Sequence, residues 1–302
     1  MEFLYFLESI RQPIIDKLML AVTQLGEETA FLVVALILFW CVNKYFGYYI
    51  LSVGFIGTIA NQFMKLWFRI PRPWVLDENF TILEQAREAA AGYSFPSGHT
   101  QTAVGTFGGI AVTSKNRWVR TSAVAIALLV PFSRMYIGVH TPEDVAVAAV
   151  MAVLLLLLLR PVYTKQGRTM PYLLLVMLLL ALGLLVFVTA YPFPGDIDAH
   201  NLASGVKNAY TLLGCLFGLL LVYILDEKWL DFPVKAVWWA QILKVAGGLL
   251  LVLAVKNGMK TPLNSVFGEQ IGRAVRYFMM VLAAGVVWPL TFRWFSKLGK
   301  KA

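Results

Sequence analysis

Charge is scarce in this 302-residue chain. Only 14% of its residues are Asp, Glu, Lys or Arg, against 59% hydrophobic. A soluble domain carries roughly a quarter charged residues, so an ordinary soluble globular protein is excluded. Cysteine is scarce as well. Cys41 and Cys215 both fall inside apolar runs, so the chain has no disulfide framework and says nothing of redox compartment. No basic patch is interleaved with aromatics, which argues against nucleic acid as a partner despite a net charge of +9. There is no short-period repeat, no low-complexity tract and no Gly/Ser linker. The N-terminal "MEFLYFLESIRQP" lacks the basic region, apolar core and small-residue site of a cleaved signal peptide.

Long apolar runs take the place of these features. "YLLLVMLLLALGLLVFVTAY" (172 to 191) is one of them. About twenty such residues cross a bilayer as a helix. The expected fold is therefore an all-α polytopic membrane bundle. Its spans read as 29–44, 46–68, 97–114, 119–137, 142–159, 172–191, 208–225, 236–255 and 275–292, nine in total. Residues 2–25 keep helical apolar spacing but include Glu8, Arg11, Pro13, Asp16 and Lys17, which suits an interfacial helix. "RPVYTKQGRTMP" interrupts the apolar pattern near 160–170. It suggests a core bundle over 1–165 and an additional C-terminal bundle over 166–302. Lys244 stands alone in the eighth span, where it would line a cavity or snorkel.

An odd span count sorts the loops onto two faces. One face, with the loops near 44, 115–120, 160–170 and 226–235 and the tail, collects 13 Lys/Arg and 3 Asp/Glu. The other collects 12 and 14. Discounting Lys65, Arg72 and Arg134, which have another reason to be where they are, makes the first face the cytoplasmic one.

Those three cations belong to polar stretches that share the second face. "KLWFRIPRP" (65 to 73) closes the second span, "YSFPSGHT" (93 to 100) opens the third, and "SRMYIGVHTPED" (133 to 144) links the fourth to the fifth. In the last, Thr141 suits an N-cap, Pro142 the first helical turn and Asp144 the third helical position. Asp144 then lies about a turn from His140. It can hold one imidazole nitrogen and leave the other as a nucleophile or base. "TPED" also fits a plain capping box. Pro96, Ser97 and Gly98 precede a helix whose first N–H groups make an anion site, and Lys65, Arg72 and Arg134 can converge there. Two histidines, an aspartate and three cations at a helix N-terminus suit a phosphoryl group.

The three stretches together are specific. The chain resembles the type-2 phosphatidic acid phosphatase superfamily. Lys, six residues, then Arg-Pro is matched by Lys65, Arg72 and Pro73. Pro-Ser-Gly-His is matched by Pro96, Ser97, Gly98 and His99. Ser-Arg, five residues, His, three residues, Asp is matched by Ser133, Arg134, His140 and Asp144. The resemblance covers about 30–160. Family members often have six spans, and the longer chain here is similar to glucose-6-phosphatase and sphingosine-phosphate phosphatases.

The resemblance implies roles for these residues. His140 is the nucleophile, Asp144 orients it, and His99 is the acid and base. Lys65, Arg72, Arg134, Ser97 and Gly98 bind the phosphoryl oxygens. It implies no metal and no cofactor, and no carboxylate cluster suited to Mg2+ lies beside the motifs. The expected substrate is a lipid phosphate or pyrophosphate. The expected setting is a bacterial plasma membrane with the site facing outward. A sugar phosphate is the alternative substrate. A haloperoxidase of the same superfamily, or a transporter whose cations only bind phosphate, stands further off.

Overall fold

The computed structural model describes residues 1–87, 90, 92–166, 168–195 and 197–299. Asp196 in the 191–205 loop and Lys300 and Lys301 in the basic tail lie outside the described residues. The described chain is helical, with no strand. In order the helices are α1 (Glu2–Ser9), α2 (Pro13–Thr23), α3 (Glu28–Ile37), α4 (Lys44–Phe68), α5 (Pro73–Leu76), α6 (Gly98–Thr113), α7 (Arg117–Tyr136), α8 (Pro142–Thr164), α9 (Met170–Ala190), α10 (Ala199–Leu225), α11 (Trp238–Gly258), α12 (Lys260–Leu282) and α13 (Phe292–Phe295).

Five helical segments among the described residues are long and apolar enough to cross a membrane: 142–164, 170–190, 199–230, 238–258 and 260–295. The pair 13–26 and 28–42, bent by 56°, makes six if it counts as one broken span. An integral membrane protein follows, but length and hydropathy do not establish the nine spans read from the sequence. The reason lies in composition. The sixteen-residue α6 carries Gln101 and several Thr and Gly, and α7 carries Arg117, Arg120 and Arg134. The 256–273 stretch, read as a loop, is mostly helix. It is bent at Gly268, where φ is 76°.

The chain forms two compact units that do not divide it at a single point. The first comprises 1–32, 50–160 and 192–205, and the second 33–49, 161–191 and 206–302. In the first, Ala103, Phe107 and Ala111 of α6 pack on Ala123, Ala127 and Val130 of α7. Met19 of α2 packs with Tyr136 at the end of α7 and with Ile137 and Val139 just beyond it. The N-terminal segment also braces the loop that follows α5 and the end of α7. Tyr5 Oη donates to Asp77 Oδ2 at 2.8 Å, Arg11 Nη1 to the Thr81 carbonyl at 2.9 Å and Arg11 Nε to the Tyr136 carbonyl at 3.1 Å. Phe6, Ile14 and Leu18 of α1 and α2 stay exposed.

In the second unit small residues let helices meet closely. A Cβ on Gly214 of α10 would come within 2.1 Å of the Ala274 carbonyl oxygen, and one on Gly218 within 2.8 Å of Val281. This is the close packing available where lipid supplies no hydrophobic drive. Lys244 is wholly buried. Its ammonium donates to the carbonyls of Trp40 (2.8 Å) and Val234 (3.0 Å) and sits 4.1 Å from the Phe292 ring centroid. It neither snorkels nor faces solvent. Trp40 lies in the π-helical turn 38–42, and Lys244 bonds the carbonyl of that turn.

Candidate active site

The site is assembled within the first unit from helix ends. Asn61 and Lys65 lie in the last turns of α4, and Arg72 is the N-cap of α5. Ser97 is the N-cap of α6, accepting from the Thr100 N–H at 3.4 Å. Asn61 Nδ2 donates to the Pro96 carbonyl at 3.2 Å and so ties α4 to this turn.

At the start of α8 the expected capping box forms in full. Asp144 N–H donates to Thr141 Oγ1 at 3.3 Å, and Thr141 N–H to Asp144 Oδ2 at 2.9 Å. The same Oδ2 lies 3.2 Å from His140 Nδ1. The cap thus fixes the carboxylate, and the carboxylate lies against the imidazole.

His140 is buried between Asp144 and Arg72. Its Nε2 lies 2.9 Å from Arg72 Nη1. A guanidinium can only donate, so Nε2 holds the lone pair and Nδ1 carries the proton that faces Asp144. Burial first, then the charges of Arg72, Arg134, Lys65 and His99, push His140 well below the ordinary imidazole value. It is neutral at physiological pH. Arg72 is buried too. It donates through Nη1 to the Val139 carbonyl at 2.8 Å and through Nε to the Gly92 carbonyl at 2.9 Å. Burial lowers it to about 10, while Asp144 acts the other way.

The other cations are less direct. Lys65 Nζ donates to the Tyr93 carbonyl at 2.6 Å and the Ser94 carbonyl at 3.3 Å, holding the loop that leads into α6. Arg134 is fully buried at the end of α7. Its Nη1 donates to Thr23 Oγ1 at 2.8 Å, while its Nε has no partner. Ser97 N–H donates to the Asp144 carbonyl at 3.1 Å. Gly98 opens α6, and a Cβ there would meet only Asn61 Oδ1, at 3.8 Å. No steric demand for glycine is evident at that position. His99 is half-buried in the first turn of α6 and packs on Gly26.

Three participants, Ser94, Thr23 and Asn201, carried no signal in the sequence. Ser94, fully buried, donates its hydroxyl to Asp144 Oδ2 at 2.5 Å and lies 3.4 Å from His140 Nδ1. Thr23 holds Arg134 from 111 residues away. Asn201 Oδ1 accepts the Tyr93 N–H at 2.9 Å, and Asp198 N–H donates to the Tyr93 hydroxyl at 3.2 Å. The sequence of the 191–205 segment, on the same face as the three motifs, suits a solvated loop or a rim over a headgroup, and Asn201 and Asp198 of that segment are bonded to the loop beside the site. Among the described residues no group of three or more His, Cys, Asp or Glu side chains comes together as a metal site.

The model of the PAP2 superfamily matches residues 44–168, which hold all eight candidate residues. A second, for the transmembrane extension of PAP2 superfamily phosphatases, matches 210–301. Together they account for well over half of the chain. The chain belongs to the PAP2 superfamily. Two curated relatives come from Bacillus subtilis (strain 168). Undecaprenyl-diphosphatase BcrC is 34% identical over 102 residues, which is 34% of this chain and 50% of that protein. Phosphatidylglycerophosphatase B is 29% identical over 172 residues, 53% of this chain and 80% of that protein. The chain thus matches half the length of the first relative. No solved structure matches it.

Proposed function

We propose that this PAP2 superfamily member is a membrane phosphatase that hydrolyses a lipid phosphate or pyrophosphate through a phosphohistidine at His140. The observation that carries the reading is the placement of His140, with Nδ1 on Asp144 and Nε2 turned to the Arg72 guanidinium. An entering phosphoryl group takes the Arg72 N–H donors onto its own oxygens. Nε2 is then left facing phosphorus.

The Nε2–P bond forms as the bond from phosphorus to the leaving oxygen breaks, and His99 protonates that oxygen. Asp144 stabilises the positive imidazole. His99 then takes a proton from water, the water oxygen attacks the phosphohistidine, and phosphate leaves with Nε2 restored. Lys65, Arg72, Arg134, Ser97 and the Gly98 N–H hold the phosphoryl oxygens. The relatives' names, a diphosphatase of undecaprenyl and a phosphatidylglycerophosphatase, support a lipid phosphate as substrate. The loop charges support a site on the non-cytoplasmic face of a bacterial plasma membrane.

The test is phosphate release by the full chain in detergent. The substrates are undecaprenyl diphosphate, phosphatidylglycerophosphate, phosphatidic acid and glucose 6-phosphate, each with and without EDTA. Release is expected from at least one lipid, not from the sugar phosphate, and undiminished by EDTA. Release from none, from the sugar phosphate alone, or only with added Mg2+ overturns the reading.

A further inference from the structure

The second unit contains a buried charge that its own residues leave unbalanced. Beyond the bend at Gly268, α12 buries a stripe at a spacing of four: Gly272, Arg276 and Met280. A stripe at that spacing faces the protein interior, yet its middle member is an arginine only 5% exposed. Arg276 has no hydrogen bond among the described residues. Its Nε is buried without a partner, and the Tyr277 ring centroid lies 5.5 Å from the guanidinium carbon.

Arg273 is its neighbour at i,i+3 on the same helix. Arg273 Nη2 pairs with Glu269 Oε1 at 3.1 Å, but its Nε is also buried and unpartnered. Four cations and one carboxylate occupy 256–276: Lys256, Lys260, Arg273 and Arg276 against Glu269. Helical side chains lean toward the N-terminus, so Arg276 leans toward Gly272, one turn back, as Arg273 does toward Glu269. At Gly272 a Cβ would come within 2.8 Å of the Leu263 carbonyl oxygen and of Asn264 Oδ1. Asn264 Oδ1 is itself a buried acceptor without a donor. Two orphan cationic donors and an orphan acceptor thus lie on the same bent helix.

We propose that Arg276 and Arg273 bind the phosphate of an anionic phospholipid, with a headgroup hydroxyl donating to Asn264. Phosphate is the anion a guanidinium fork fits, and a hydroxylated headgroup supplies the missing donor. The lipid is favoured over free phosphate because the pair sits in a segment apolar enough to cross the membrane, 260–295. Val266, Phe267 and Ile271 stand exposed along it, where acyl chains can lie. This site is separate from the proposed catalytic one and does not depend on it.

The test is thermal melting and native mass spectrometry of the full chain in neutral detergent. The additives are phosphatidylglycerol, phosphatidylcholine or inorganic phosphate. Phosphatidylglycerol is expected to raise the Tm of the wild type and to stay bound, with phosphatidylcholine and inorganic phosphate doing neither. Arg276→Gln is expected to weaken phosphatidylglycerol binding roughly tenfold or more, while phosphate release in detergent is retained. Arg276→Lys and Arg273→Gln, which keep half of the pair or its charge, serve if Arg276→Gln does not fold, and each is expected to lie between.

Equal response to phosphatidylglycerol and phosphatidylcholine overturns the proposal with no variant needed. So does undiminished binding in Arg276→Gln. A response to inorganic phosphate equal to that of the lipid overturns the lipid assignment in favour of a free anion. A chain without any phosphatase activity sinks the catalytic reading and leaves this test readable.

Discussion

Ser94→Ala isolates one hydrogen bond in the proposed active site. Ser94 is fully buried, and its hydroxyl donates to Asp144 Oδ2 at 2.5 Å. The substitution removes one atom and leaves the Ser94 carbonyl, which Lys65 uses, in place. Asp144 keeps the Thr141 N–H and His140, so the carboxylate stays but is held by one group fewer. A hydrogen bond to a charged group contributes about 1.5–3 kcal/mol. At 1.36 kcal/mol per tenfold, turnover is expected to fall by about 10- to 150-fold. The substrate does not touch Ser94 in the proposed mechanism, so KM is expected to stay within about threefold. Steady-state phosphate release from the best lipid substrate measures both constants. A kcat within about twofold of the wild type, or a change confined to KM, refutes the idea that Ser94 positions the nucleophile's partner.

Three further outcomes follow from the same geometry. His140→Ala is expected to lower turnover on the order of thousands-fold, and acid-quenched wild-type enzyme to carry phosphate on histidine. Near-native turnover in the variant removes the nucleophile. Because the folded chain holds His140 well below its ordinary value, the unfolded chain binds a proton that the folded one does not. The Tm in detergent should therefore be full above about pH 6.5 and fall as pH drops below it. His140→Asn should flatten that slope, and an unchanged slope refutes the assignment. For sidedness, with Cys41 and Cys215 replaced, a cysteine at Glu84 should react with an impermeant maleimide in intact cells and one at Lys165 only after lysis. The reverse pattern places the site in the cytoplasm.

The candidate site was legible because its chemistry is concentrated in short stretches with fixed local geometry. His140 and Asp144 are four residues apart at a helix start, so the capping rule that places Asp144 also places its oxygen beside the imidazole. Arg72 was legible as a cation near the site, but not as the group that faces His140 Nε2. Ser94, Thr23 and Asn201 were not legible. Each is an ordinary polar residue in a loop or at a helix end, and its role exists only once residues 46 to 111 positions apart meet. Lys244 reads as a misplaced cation because sequence does not show the Trp40 and Val234 carbonyls that satisfy it.

The spans show the same division from the other direction. The helices most obvious by hydropathy, such as α8 and α9, expose their apolar residues, among them Leu157, Leu158, Tyr172 and Leu175. They must be apolar because their surroundings are. α6 buries Thr100, Gln101 and Thr106 alongside Ala103 and Phe107. Protein surrounds it, so an apolar side chain is not demanded at every position: Gln101 reaches the Val53 carbonyl, 3.4 Å away, while the Thr100 and Thr106 hydroxyls are buried without a partner among the described residues. Hydropathy therefore misses α6, which brings His99 to the site, because that helix lies inside the protein. α7, which brings Arg134, exposes Val124, Leu128 and Leu129 and is weak in that measure because it carries Arg117, Arg120 and Arg134. Arg276 is the exception that motivates the lipid site: it lies in a segment hydropathy does detect, and no described residue accepts its hydrogen bonds.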